Sequence, residues 1–367
     1  MDFTNLQTQY QLYKNEINQE IQKVLDTSSY IGGESIVRLE RGLEAFANVP
    51  YAVACSSGTD AIVLALMALG IGVGDEVITT PFTFIATAEA IAFLGAKPVF
   101  VDIHPQTYNL NPALLEEKIT PKTKAILPVS LYGQVCDMDE INSIAKKYNL
   151  SVVEDGAQSF GAIYKGKYSC SLSPLATTSF FPSKPLGGYG DGGAVFTQSE
   201  EMAKKIRSLL SHGQVRRYVH QYIGMNARMD SLQASILCVK LKYFQEEIAK
   251  RQKVAYNYTQ ALKELSNYVK TPYIQPCGSS VFAQYSLYVQ NRNELSEYLK
   301  SYSIPTAIHY PLPLHLQEAF ALLGYQEGDF PVSEDVSKHI LSIPMSAFIT
   351  ESEQSEVIER IKDFYLH

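Results

Sequence analysis

One lysine stands apart from the polar, helical surroundings that explain most lysines of this chain. In "TTSFFPSKPLGGYGDGGAVFT", Thr177 to Thr197, Lys184 lies between a β-type apolar run and a series of glycines. An amine kept from water has a lowered pKa and acts as a nucleophile that forms imines with carbonyls. The plain alternative is an ion pair with a nearby carboxylate, Asp191, made for structure alone. "VVEDGAQSFGA" ends a strongly apolar run in Asp155, where a carboxylate is costly unless a cation or donor meets it. Helix capping is the bland reading there. Alternation points the adjacent Glu154 to the other face, and Gln158, one helical turn beyond Asp155, lines the same side as Asp155.

"CSSGTDA" ends a strand at Cys55 and starts a helix near Thr59. A helix N-terminus offers free N–H groups and partial positive charge to an anion such as phosphate. An ordinary cap by Ser57 or Thr59 reads equally well. A lysine for a Schiff base, an aspartate for a pyridinium nitrogen and a helix N-terminus for a phosphate are together the requirements of pyridoxal phosphate. Two other phosphate motifs fall away. Gly188, Gly190 and Gly193 match G-x-G-x-x-G, but a strand, "AVFT", follows where that motif needs a helix. No G-x-x-x-x-G-K-[ST] occurs.

The elements that must hold these residues alternate between about residues 50 and 200. "YAVACSS", "EVITTPF", "KPVFVDI", "KAILPVS" and "LSVVEDGA" read as strands. "TDAIVLALMAL", "ATAEAIAFLG" and "MDEINSIAKKYN" read as helices between them. Continuous Val/Ile runs suit strands covered on both faces, and the alternation predicts an α/β fold with a mostly parallel sheet. Ligands in such sheets sit at the carboxyl ends of strands, which gathers "SSGTD", "PFTFIAT", "EDGAQ" and "SFFPSK" on one rim. After Asp230 comes a long amphipathic helix or a pair of helices, then a smaller α+β lobe. The expected division is a large domain over 1–240, including the N-terminal helix, and a small C-terminal α+β domain over 241–367.

Length and charge fit that plan. The 367 residues exceed one ordinary core and suit two lobes. A net charge of −7 provides no basic patch, so nucleic acid is excluded as a partner. The longest apolar stretch, Ala61 to Gly74, is shorter than the roughly 20 residues that span a bilayer, so no membrane partner is expected. The start of the chain lacks the basic-then-apolar order of a signal peptide. Five scattered cysteines without a CxxC point to a reducing compartment, the cytoplasm, and away from a metal site.

With these residues in view, the chain resembles the DegT-type sugar-nucleotide aminotransferases, fold-type I pyridoxal-phosphate enzymes, over essentially its whole length. "SSGTDA", "TFIATAEAI", "VVEDGAQSFGA", "TSFFPSKPLGGYGDGGA", "HGQ", "GMNARMDSLQASIL" and "AIHYPLPLH" fall in the family's order and spacing. "YNLNPALLEEKITPKTKAILPVSLYGQ" is most similar to the branch acting on UDP-2-acetamido-2-deoxy-3-oxo-glucuronate for surface polysaccharides such as lipopolysaccharide O-antigen. The resemblance implies that Lys184 joins the cofactor and that Asp155 meets its ring nitrogen. It implies that Phe84 stacks on the ring, that Gly58, Thr59 and Ser179 cradle the phosphate, and that Gln158 lies near the ring hydroxyl. Asn226 then reaches the phosphate of a neighbouring subunit, which makes the protein a homodimer with shared sites. Arg228, His309 and Tyr310 border the substrate, and Arg216, Arg217 and His220 either join them or form a solvated basic loop. L-glutamate, leaving as 2-oxoglutarate, and a nucleotide-linked keto-sugar are the implied partners, with pyridoxamine phosphate appearing in the cycle. A 3-oxo sugar without the carboxylate, on UDP or dTDP, is the neighbouring alternative; a non-catalytic regulatory protein of the same fold is the distant one. Some relatives with histidine at the position of Lys184 are dehydratases, so lysine favours amino transfer. Gly156 departs from the alanine frequent in relatives but keeps a small residue.

Overall fold

The apolar runs form the strands that their β-branched content predicts, and the computed structural model describes residues 1–366. Two N-terminal helices, α1 (Leu6–Thr27) and α2 (Glu34–Ala47), lead in. Then β1 (Tyr51–Cys55), α3 (Gly58–Leu69), β2 (Glu76–Thr79), α4 (Ala86–Phe93), β3 (Lys97–Phe100), β4 (Thr123–Ile126), α5 (Met138–Tyr148) and β5 (Ser151–Asp155) follow. A short hairpin, β6 (Ile163–Tyr164) and β7 (Lys167–Tyr168), separates these from β8 (Leu175–Ser179) and β9 (Gly193–Thr197). Helix α6 (Glu200–Leu209), an exposed hairpin of β10 (Gln214–Arg216) and β11 (Val219–His220), and the 31-residue α7 (Ser231–Ala261) complete this part.

Seven strands make one sheet in the order β1-β9-β8-β5-β4-β2-β3. All neighbours are parallel except β9, which runs antiparallel to both β1 and β8. The sheet is therefore mostly parallel, as expected, with one reversed strand that alternation alone does not reveal. Helix α3, buried within one core against the sheet, is apolar nearly all round.

The small lobe pairs β12 (Val269–Lys270), β13 (Tyr285–Val289) and β14 (Ile340–Ile343) into an antiparallel sheet. Helices α8 (Arg292–Ser301), α9 (Pro331–His339) and α10 (Glu351–Leu366) accompany it. Helix α7 is one unbroken helix, and the expected break at 240/241 falls inside it. Its Leu237, Phe244 and Ile248 join the core under the large sheet, and its Val254, Ala255 and Tyr258 join that of the small lobe.

Candidate active site

The rim of the large sheet brings the chemistry together because the strands stop in register. Cys55 of β1 and Ser179 of β8 both pair with Gly193, the first residue of β9, and Asp155 of β5 pairs with Thr177. Beyond this rim lies a cavity of about 480 Å³, within the range of small-molecule sites. Gly58, Thr59, Phe84, Asp155, Gln158, Ser179, Lys184, His309 and Tyr310 all line it.

Lys184 sits on the loop between β8 and β9. That loop closes on Phe180, whose N–H donates to the Gly192 carbonyl at 2.7 Å and whose carbonyl accepts from the Gly188 N–H at 2.7 Å. The surface of Lys184 that remains open faces the cavity, while surrounding protein pushes its pKa down; the charge of Asp155 opposes that shift. Among the described residues no ion pair joins Lys184 to Asp191, which is exposed at the cavity edge, so the purely structural pairing fails.

Asp155 ends β5 almost fully buried. Thr87 Oγ1 donates to Oδ2 at 2.9 Å and the Ala157 N–H donates to Oδ1 at 3.1 Å. Burial raises its pKa, and these two donors and the Lys184 charge pull it back. Its neighbour Glu154 does point to the other face, into the core, where Ser169 Oγ and the Cys170 N–H donate to it at 2.7 and 3.0 Å. Gln158 reaches the cavity by a different route from the expected one: residues 156–161 form turns, not a helix. Its amide is braced at both ends, accepting from the Tyr132 N–H at 2.8 Å and donating to the Tyr310 hydroxyl at 3.1 Å.

At the N-terminus of α3, Ser57 is the cap, its hydroxyl accepting from the Asp60 N–H at 3.0 Å. The N–H groups of Gly58 and Thr59 have no intrahelical acceptor and line the cavity beside Ser179. A Cβ on Gly58 would come within 2.6 Å of Ser179 Cβ, so glycine is required for this close approach. Capping and anion binding thus coexist: Ser57 serves the helix, and the two preceding donors stay free.

Phe84 is half-exposed at the cavity mouth, 6.2 Å between ring centres from Tyr310. His309 Nδ1 meets Ser342 Oγ at 3.0 Å; burial and the Lys184 charge bring its pKa down to about 4. Arg228 lies outside this cavity, lining an adjoining one of about 540 Å³ that shares Ser57 and Asp191, with its Nε buried and unpaired. Asn226 is exposed and does not line this cavity, and its backbone pairs with Ser211. Arg216, Arg217 and His220 lie on the exposed hairpin. The sequence reading missed Thr87, whose signal is a hydroxyl in the first turn of an Ala-rich helix, and Gln284, which also lines the cavity.

A family model described as the DegT/DnrJ/EryC1/StrS aminotransferase family matches residues 11–362. The chain belongs to that family. This aminotransferase is 51% identical to the UDP-2-acetamido-2-deoxy-3-oxo-D-glucuronate aminotransferase of Pseudomonas aeruginosa, over 95% of this chain and 96% of that protein. It superposes on Streptomyces venezuelae DesV, solved in complex with a ketimine intermediate, with a TM-score of 0.98, 36% identity and coverage of 100% and 98% of the two chains. With NtdA of Bacillus subtilis, solved with the cofactor PMP bound, the TM-score is 0.89 at 34% identity, covering 95% of this chain and 81% of that one. The cofactor of this aminotransferase is pyridoxal phosphate. The donor set fits it: two free helix N–H groups, a buried carboxylate and an amine of lowered basicity border one cavity. Among the described residues no helix is long and apolar enough to cross a membrane, and no cluster of metal-ligating side chains occurs.

Proposed function

We propose that this aminotransferase moves the amino group of L-glutamate to the C-3 ketone of UDP-2-acetamido-2-deoxy-3-oxo-glucuronate, in the cytoplasm, for a bacterial surface polysaccharide. The observation that carries the reading is the meeting of Lys184, Asp155 and the free N–H groups of Gly58 and Thr59 around one cavity. The P. aeruginosa relative, by its name, supplies the substrate. A chain that had become purely regulatory would have no need to keep this set together.

Bound there, pyridoxal phosphate supplies an electron sink to the carbon that gains or loses the amine. Lys184 would hold the cofactor covalently and, as a free amine, would move a proton at the reacting carbon, a task its lowered basicity suits. Asp155 accepts a hydrogen bond from the protonated ring nitrogen, its orientation set by Thr87 and Ala157. Gly58, Thr59 and Ser179 receive the phosphate, Phe84 covers the ring face and Gln158 borders the ring hydroxyl. His309 and Tyr310 line the sugar side. Arg228 binds a substrate carboxylate or diphosphate with the planar fork that suits both. Asn226, exposed and outside the cavity of its own chain, serves the phosphate of a second subunit, which makes the working form a homodimer.

The test is a single-turnover assay. The holoenzyme is first converted with L-glutamate, followed by loss of its visible absorbance. It is then given UDP-2-acetamido-3-oxo-glucuronate, its C-6 alcohol analogue or a dTDP-3-oxo-6-deoxyhexose, with the amino product read by mass spectrometry. Amination of the uronate in preference to the other two is expected. Preference for either other sugar overturns the substrate, and no bleaching by glutamate overturns the donor.

A further inference from the structure

Gln284 lies one residue before β13, on the small-lobe wall of the cavity that Lys184, His309 and Tyr310 also line, and it borders as well a second, narrow cavity lined by Tyr132, Phe282 and Ser286. Its amide oxygen is buried and has no hydrogen-bond partner. Several of the polar groups around it are engaged with protein. Tyr310 accepts from Gln158, Tyr132 donates its hydroxyl to the His309 carbonyl, and His309 Nδ1 is paired with Ser342. Gln158, the other amide of the cavity, has both ends bound to protein, so it acts as a brace. Gln284 braces nothing, and a buried acceptor left unmatched is unfavourable unless a bound molecule brings a donor.

We infer that Gln284 is a substrate-specificity residue for the sugar half of the reaction, accepting a hydrogen bond from a donor that flanks the 3-oxo carbon. This inference rests on the proposed keto-sugar substrate. The chemistry of the two substrates selects between them. L-glutamate offers two carboxylates, which are acceptors only, and an ammonium that is consumed in the reaction. An amide oxygen repels the former and cannot keep the latter. The sugar offers the 2-acetamido N–H and the 4-hydroxyl, neutral donors on either side of the ketone. Both fit a neutral acceptor fixed in the cavity wall.

The experiment separates the half-reactions in Gln284→Leu and in Gln284→Met, which retains the unbranched shape. Bleaching by L-glutamate is expected to stay within about twofold of the wild type, which also shows that the site is folded. Amination of the keto-sugar is expected to fall about 10- to 100-fold in kcat/KM, the usual effect of leaving one buried polar partner unmatched. Sugars lacking the 4-hydroxyl or the acetamido N–H then identify the donor: the analogue without it reacts equally with wild type and variant. Equal losses in both half-reactions would make Gln284 structural, and a loss confined to glutamate would assign it to the amino donor. No loss in either would mean that water satisfies the amide. Each of these three results overturns the inference. A wild type that aminates a different keto-sugar overturns the proposed substrate alone, and the same comparison is then made on that sugar. A wild type that reacts with glutamate but aminates no keto-sugar overturns both readings.

Discussion

Lys184, Asp155 and His309 share one cavity, where the charge of Lys184 acts on both of the others and that of Asp155 acts on Lys184. Lys184→Ala is expected to cut turnover by at least about 10³-fold, since both the covalent attachment and the proton transfer are lost. Steady-state turnover near the wild-type level would refute its role. His309, with its pKa down to about 4, is neutral across the working range. In His309→Gln the acid limb of the pH–kcat/KM profile above pH 5 should therefore keep its midpoint, whatever happens to the rate. A shifted limb would show that the imidazole titrates there. Gly156 makes a different demand. A Cβ there would come within 2.6 Å of Cys170 Sγ and 3.1 Å of the Thr177 carbonyl. Gly156→Ala should cost about 1–3 kcal/mol by overpacking, with part restored by Cys170→Ala in a thermal-denaturation double-mutant cycle. The small residue kept at this position is thus matched to a particular neighbour.

At the scale of elements, β5 places two carboxylates on opposite faces, one for the cavity and one for the core. Glu154, in the core, has its pKa raised to about 7 by burial. It binds its proton more tightly folded than unfolded, so stability falls as pH rises from about 4.5 through 7. Glu154→Gln keeps the acceptor for the Cys170 N–H and should remove that dependence, stabilising the protein at pH 8 by up to about 3 kcal/mol. Melting curves at pH 5 and pH 8 for both proteins test this, and equal slopes would refute it. The elements also show what was legible in the sequence. Strand ends marked by Cys55 and Asp155 were readable because an apolar run stopping at a polar or small residue is a local signal, whereas Ser179 ends the Thr-rich β8 just before Phe180 and Phe181 and carries no such mark. The direction of β9 was not, because "GAVFT" reads alike in either orientation and only its partners fix it. Gln158 was placed on the right side for the wrong reason, since turns rather than a helix carry it there. Gln284 was hidden within "SVFAQYSLYV", where an amide between apolar residues, with Ser286 two positions on, was the available clue.

At the scale of the molecule, the cavity wall is drawn from both lobes, and α7 runs between their cores without a break. A proposed division of 1–240 and 241–367 therefore cuts a helix, and separate expression of the two pieces would expose its apolar face. The exposed Asn226 carries the proposal of a shared site, and subunit mixing tests it. Lys184→Ala and Asn226→Asp chains should each be impaired alone. Refolded together they should regain activity, because each mixed dimer holds one site with both native residues. Mixtures no more active than the average of the parents would place Asn226 in the site of its own chain or outside any site.

The reversed strand β9 has a consequence for how such an enzyme can change its substrate. Because it starts at the rim where β8 ends, the segment bearing Lys184 leaves and returns at the same edge, a closed clasp with both feet on the sheet. The clasp cannot lengthen or drift without pulling on the strands beneath it. The opposite wall, from Gln284 to Tyr310, hangs from another sheet altogether. Reactive machinery and recognition surface are thus anchored in separate sheets and meet across the cavity through contacts such as the Gln158–Tyr310 hydrogen bond, so mutation can redraw the outline of the sugar while the strands that carry the bond-making end stay in place.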